Sequence, residues 1–302
     1  MTATRRRALA MRPRGLSEQA PRLLLAAGLL GAALAWAGPS ATGATLTDST
    51  EISSTPIQTG TWSTNPYPAT VATTTPAPVD VLRLSEEAPV TFVTDDGSRG
   101  VSAVASGSPL GWGATGLLIG DTNTALAFDG DPSGQPFVRV GGPAAPAPDA
   151  LTVAAWISVS DAGRILGFGD ASSGPSTDED RVLYVDDAGY LRAAVRDTGG
   201  AVSAVRSDAP VVGATHHVAF SLGPAGLLLY VDGVRQSGSD PATTSAEAYD
   251  GWWRIGWDAL PTDDPGLGTA DELVKGTVDE VAIWDAQLSD AQVADLAAAN
   301  HT

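Results

Sequence analysis

No cysteine occurs among the 302 residues. Disulfides, thiolate metal ligands and a cysteine nucleophile are thereby excluded, and stability has to come from a hydrophobic core, which a chain of this length can build. Lysine is nearly missing too, with Lys275 the single one, and 17 basic residues stand against 35 acidic ones for a formal net charge of −18. A surface of that sign disfavours nucleic acid and anionic lipid as partners and suits solubility and cations. Histidine occurs three times, and the adjacent His216 and His217 would lie on opposite faces of a strand. No His-x-x-x-His pattern, nucleophile elbow or phosphate-cradling loop is present. The apolar run from Leu23 to Ala37 is 15 residues long, short of the ~20 a spanning helix needs.

What is there begins with that run. Arg5, Arg6, Arg7, Arg12, Arg14 and Arg22 precede it, and Ala35-Trp36-Ala37 and Thr42-Gly43-Ala44 offer small residues for cleavage. Residues 1–44 therefore read as a secretory signal peptide, with an uncleaved anchor as the alternative, and the expected product is secreted, starts between Gly38 and Leu46 and does not insert in a membrane. Without residues 1–37 the balance becomes 11 basic against 34 acidic residues, a net charge near −23. Residues 45–79, rich in Thr, Pro, Ser and Ala, read as a spacer with too few large apolar groups for a core. Abundant Ala, Gly and Arg beside one Lys is the composition of a high-GC bacterium.

From Val79 onward short runs of Val, Leu, Ile and Trp alternate with Gly, Pro, Asp and Ser turns, which predicts an all-β, two-sheet antiparallel sandwich over residues 80–302. Asp232-Gly233 marks a tight turn, and the Pro-Ala run from Gly142 to Asp149 a loop. Along the last strand Val278, Glu280, Ala282 and Trp284 alternate with Asp279, Val281 and Ile283; Ser289 and Gln292 then form a capping box for a short C-terminal helix.

Those last residues resemble the ending of the laminin-G-like jelly-roll domains, the concanavalin A-like sandwiches, where a "G-x-[IV]-D-E-[VA]-x-[IL]" strand precedes "L-[ST]-x-x-[EQ]-[IV]". Leu126-Ala-Phe-Asp-Gly130, Leu151-Thr-Val-Ala-Ala-Trp-Ile157, His216-His-Val-Ala-Phe220, Leu229-Tyr-Val-Asp-Gly-Val234 and Trp253-Arg-Ile-Gly256 are similar to further blocks of that family, in the same order. Thr215 stands where the family usually has Trp. Ala44-Thr-Leu-Thr-Asp-Ser-Thr-Glu51 and Thr59-Gly-Thr-Trp62 resemble the segment after the signal peptide in bacterial matrix-fibre and camelysin-like exported proteins, with a generic exposed spacer as the alternative.

The family includes glycoside hydrolases, but their E-x-D-x-x-E arrangement is absent: the alternation separates Asp279 from Glu280, and Asp285 lies six residues on. No catalytic residue is expected. The resemblance implies a calcium ion joining the first and last strands, for which the matching positions are Glu86 or Glu87, Asp95 or Asp96, and Asp279; Asp279, Glu86 and Asp96 form the expected set. The alternative has Asp279 accepting backbone amides with no metal. For sugar binding, Trp252 and Arg254 share one face of a strand while Trp253, Ile255 and Trp257 share the other and fit the core; Trp112 is a further candidate. The expected role is non-catalytic recognition of a polysaccharide or glycoprotein at or beyond the cell surface, the alternative a self-associating matrix protein.

Overall fold

The computed structural model describes residues 65–261, 263, 264, 268 and 272–301. The signal segment, and the spacer up to residue 64, lie outside them. Helix α1 (Tyr67–Thr73) precedes β1 (Asp80–Leu82), β2 (Phe92–Val93), β3 (Ala103–Ser106), β4 (Gly111–Thr115), β5 (Thr124–Asp129), β6 (Phe137–Arg139), β7 (Ala145–Pro146) and β8 (Leu151–Val159). Then follow β9 (Gly163–Gly169), β10 (Glu179–Val185), β11 (Tyr190–Arg196), β12 (Val202–Pro210), β13 (Thr215–Leu222), β14 (Leu228–Val231), β15 (Val234–Arg235), β16 (Asp250–Gly256), β17 (Lys275–Trp284) and α2 (Asp290–Ala298).

The strands pair antiparallel in two sheets. One has the order β15-β14-β13-β8-β17-β5-β4, with β1 beside the second half of β17; the other runs β12-β11-β10-β9-β16-β6-β3-β2, with β7 beside β16. Period-two alternation sends one face of each strand inward. On β8, Leu151, Val153, Ala155, Ile157 and Val159 enter the core between the sheets; on β16, Trp253 and Ile255 do, followed by Trp257. The expected all-β antiparallel sandwich is what the structure shows.

The first sheet is covered on its outer face as well. Ala154, Trp156, Ala219, Tyr230, Ala282 and Trp284 meet Val293 and Leu296 of α2 and Tyr67 and Val71 of α1 in a second apolar layer. Ser289 caps α2 as the sequence predicts, accepting from the Gln292 amide while the Gln292 side chain accepts from the Ser289 amide. Helix α1 was not foreseen. It lies in the segment read as spacer, so the packed chain starts upstream of the boundary drawn at residue 80. One aromatic anchors it: the Tyr67 ring meets Trp156 edge-on at 5.8 Å and His217 at 5.7 Å. Both Tyr67 and Val71 are buried, and Asn65 Oδ1 accepts from the Tyr67 amide.

The last strand departs from simple alternation. The register of β17 against β8 shifts between Asp279 and Ala282, and Glu280 adopts φ 51°. This is a bulge, in which an extra residue breaks the period of two. Consequently Val278 faces the core together with Val281 and Ile283, whereas the sequence grouped it with Ala282 and Trp284. The described residues include no helix long and apolar enough to cross a membrane.

Candidate functional site

Between the end of β6 and the start of β8 the chain crosses from one sheet to the other through the Pro-Ala run. Ala145 and Pro146 pair with Gly251 and Asp250 of β16, and Ala147 donates to the Tyr249 carbonyl at 2.8 Å. What the sequence predicts as a free loop is therefore pinned along β16, because the prolines fall where a single edge needs few donors. It walls a cleft of about 630 Å³. Trp252 and Trp253 form one side, Pro143, Pro146 and Pro148 the other, and Arg99, Asp149 and Asp285 bring charge to it.

Trp252 and Trp253 divide as the alternation predicts. Trp253 is 4% exposed, with its ring edge-on to Phe168 at 5.4 Å and tilted against Phe220 at 6.4 Å. Trp252 is half-buried on the outer face: its indole N–H donates to the Gly142 carbonyl at 3.0 Å and the Arg139 guanidinium lies 5.3 Å from its ring centre. A ring so fixed loses little further freedom on binding, which suits it to stack on a flat apolar ligand face.

Arg254 shares that outer face but is not open. It is fully buried beneath the segment 170–176, donating from Nη1 to the Gly174 carbonyl at 2.8 Å and from Nη2 to the Ala171 carbonyl. Its Nη1 lies 3.2 Å from Asp258 Oδ2, which also accepts from the Ser176 hydroxyl at 2.8 Å, and the fully buried Arg164 stands 4.0 Å from the same oxygen. Burial pulls the Arg164 pKa down to about 10, with Asp258 opposing. A buried guanidinium held by carbonyls and a carboxylate is a structural lock, so the expected ligand contact at Arg254 gives way to a role under the surface. Trp112, on the edge strand β4 of the other sheet, packs against the core and does not line the cleft.

The expected calcium set is not assembled. Asp279 is fully buried on the outer face of the first sheet, where its Oδ2 accepts from the Leu117 amide at 2.8 Å. Glu86 Oε1 accepts from the Thr94 amide at 3.2 Å, and Asp96 lines a separate cleft of about 360 Å³ with Arg83 and Glu280. Among the described residues no three His, Asp or Glu side chains converge as a metal group, whereas calcium takes six to eight oxygens. The donor set does not fit the ion. The Leu117 amide is a contact of the kind that the alternative expects of Asp279.

Burial, then the neighbouring Glu280, pushes the Asp279 pKa up to about 8, so its carboxyl is protonated at neutral pH. Glu280 is raised as well, burial outweighing the Arg83 guanidinium, whose Nη2 lies 2.8 Å from its Oε1. The bulge puts these two carboxyls together, against the expected separation on opposite faces. His217, buried under Tyr67, is pulled down to about 4 by desolvation and stays neutral, while His216 pairs with Asp232 at 2.8 Å. Both are ladder histidines. Below the cleft, burial pushes Asp80 up to about 7 although Arg99 Nε lies 3.0 Å away. Two contributors that sequence reasoning missed are Arg99 and Arg139, which no local pattern marks as neighbours of Trp252.

Comparison with known proteins bears on the fold. Domain 4 of AbnA, an extracellular GH43 arabinanase from Geobacillus stearothermophilus, solved in complex with arabinotriose, is similar at a TM-score of 0.50 and 16% identity over 73% of this chain and 98% of that one. A Trypanosoma rangeli sialidase in complex with sialic acid gives 0.48 and 19% identity over 74% of this chain, which spans only 33% of the sialidase. At such identities the arabinanase likeness shows the fold alone. No curated protein sequence matches. Residues 132–294, from just before β6 into α2, match the family described as the Concanavalin A-like lectin/glucanases superfamily. That stretch holds both walls of the cleft and more than half of the sequence, and the chain belongs to this superfamily.

Proposed function

We propose that the protein is a carbohydrate-recognition module that binds glycan in the cleft beside Trp252 and does not cleave it. The observation that carries this reading is the Trp252 ring itself, fixed by the Gly142 carbonyl and the Arg139 guanidinium at the mouth of a cleft with Arg99, Asp149 and Asp285 in reach of hydroxyls. Flat aromatic faces beside charged hydrogen-bonding groups are what sugar rings need, since their C–H faces are apolar and their rims polar. The arabinotriose complex of a similarly folded domain supports the ligand class. The signal segment read in residues 1–44 supports a role outside the cell, with a polysaccharide or glycoprotein as the proposed partner.

A glycan array probed with the protein tests the reading. Binding of one or more glycans with a dissociation constant below the millimolar range, reduced about tenfold or more by Trp252→Ala, is the expected result. An array without signal, or binding indifferent to Trp252→Ala, refutes it; release of reducing ends from a bound glycan refutes the non-catalytic part.

A further inference from the structure

The ligand surface does not stop at the cleft. The outer face of the second sheet carries a row of directly paired residues, Arg254 on β16, Arg139 on β6, Val104 on β3 and Phe92 on β2. Their partners in sequence, Val93, Ala103, Val138, Trp253 and Ile255, all enter the core, so the row points outward. Adjacent strands lie about 4.8 Å apart, which makes the row about 14 Å long from β16 to the edge at β2. Its two ends differ. At Arg254 the face is roofed by the segment 170–176, but at β2 it is open, with Phe92 66% exposed. Two residues after Arg139 the chain carries Gly141, where a Cβ would sit 2.2 Å from the Ser102 carbonyl oxygen, so the backbones approach closely there.

In the middle lies a charge with no carboxylate partner among the described residues. Arg139 stacks on Trp252 and, among the described residues, donates to the carbonyls of Val140 and Gly142, at 3.2 and 3.4 Å. Among the described residues no carboxylate is in ion-pair distance of it. Moreover it sits directly opposite Arg254, and like charges opposed across two strands repel. In a chain with 35 acidic residues against 17 basic ones, an acidic neighbour would be the cheapest remedy. None is supplied by the described chain. A guanidinium presents paired donors that match a carboxylate. The acidic surface elsewhere is a weak objection, because charges beyond about 8 Å are screened at physiological salt.

We propose that the cleft of Trp252 continues across the open face to Phe92, forming an extended platform for an acidic polysaccharide whose sugar carboxylate docks on Arg139 while neighbouring rings rest on Trp252 and Phe92. This rests on the carbohydrate reading of the cleft and adds to it the ligand's charge and its length: a single sugar reaches only one of the two rings, whereas a chain of several reaches both.

The full-length protein is titrated calorimetrically with polygalacturonate, alginate and hyaluronan, with the carboxyl-reduced form of each, with dextran sulfate, and with neutral arabinan and xylan. Expected is binding of at least one carboxylated chain that tightens with oligomer length and weakens roughly tenfold on carboxyl reduction, on Arg139→Gln and on Phe92→Ala alike. Melting temperatures of Phe92→Ala and Arg139→Gln, compared with wild type, show that the variants fold, and Arg139→Lys should recover part of the loss. The inference is overturned, and the cleft reading left standing, if neutral glycans bind through Trp252 while Phe92→Ala and Arg139→Gln change nothing. Preference for dextran sulfate over every carboxylated chain overturns the carboxylate assignment. Failure of every glycan in the set to bind overturns both readings.

Discussion

Trp252 and Trp253 are neighbours in sequence with opposite duties. Trp253 meets Phe168 and Phe220 inside the sandwich, so Trp253→Ala removes a large ring from a close-packed core and should cost about 3–5 kcal/mol. Trp252→Ala removes one hydrogen bond and the stack with Arg139 at a half-open position and should cost about 1 kcal/mol or less. Denaturant unfolding of both variants checks the contrast; comparable, large losses would put both rings in the core and the binding surface elsewhere. Asp279 offers a second test. Its carboxyl, raised to about 8 in the folded protein by burial, ordinarily titrates near 4 once unfolded. The folded state therefore holds the extra proton, and its contribution to stability is complete below about pH 4 and is lost as pH rises through about 8. Asp279→Asn keeps the acceptor for the Leu117 amide and cannot ionise, so its stability should fall less than wild type between pH 5 and 8. Parallel pH profiles of the two melts would show that Asp279 ionises as freely folded as unfolded.

Elements were legible where the physics is local and illegible where it is not. Alternation on β16 sorts its two tryptophans correctly because no residue is inserted there, and the capping box of α2 is readable because Ser289 and Gln292 satisfy each other over three residues. The last strand misleads. Its sequence alternates cleanly, yet the bulge at Glu280, with φ 51°, swaps the parity of Val278 and brings two carboxyls together. Nothing in the residue types announces it, and the Arg83 and Asn123 side chains that hold the Glu280 carboxylate come from elsewhere in the chain. Arg254 misleads for a related reason: strand period places it beside Trp252, but the segment 170–176 that covers it comes from 80 residues earlier. Arg139 meets Trp252, and Phe92 shares its sheet face, only through sheet order, while Arg99 reaches the cleft from a turn; one sequence displays neither.

At the scale of the whole molecule, the first sheet of the sandwich has two covered faces, and the cover on its outer face comes from both ends of the described chain. Helix α2 follows β17 closely, and its first half, to Ala294, falls in the matched family region. Helix α1 is upstream of it and looks dispensable in sequence, being seven residues of Thr, Ala, Pro, Val and Tyr; seven residues do not hold a helix in water by propensity. It is held by what it covers. Tyr67 closes over Trp156 and His217, and Val71 over the same apolar layer. Deleting the helix would wet the Trp156 ring and the neutral His217 imidazole, and would open the buried Asp279–Glu280 pair to solvent, which lowers the cost of their ionisation and partly offsets the loss of apolar contact. A fragment of residues 80–302 should therefore melt below one of residues 60–302, by about the loss that Tyr67→Ala alone causes in the longer fragment, roughly 3–5 kcal/mol of unfolding free energy. The gap should narrow with rising pH, since the shorter fragment no longer buries the two carboxyls. Identical melts of the two fragments at every pH would show that the segment is the inert spacer its composition suggests.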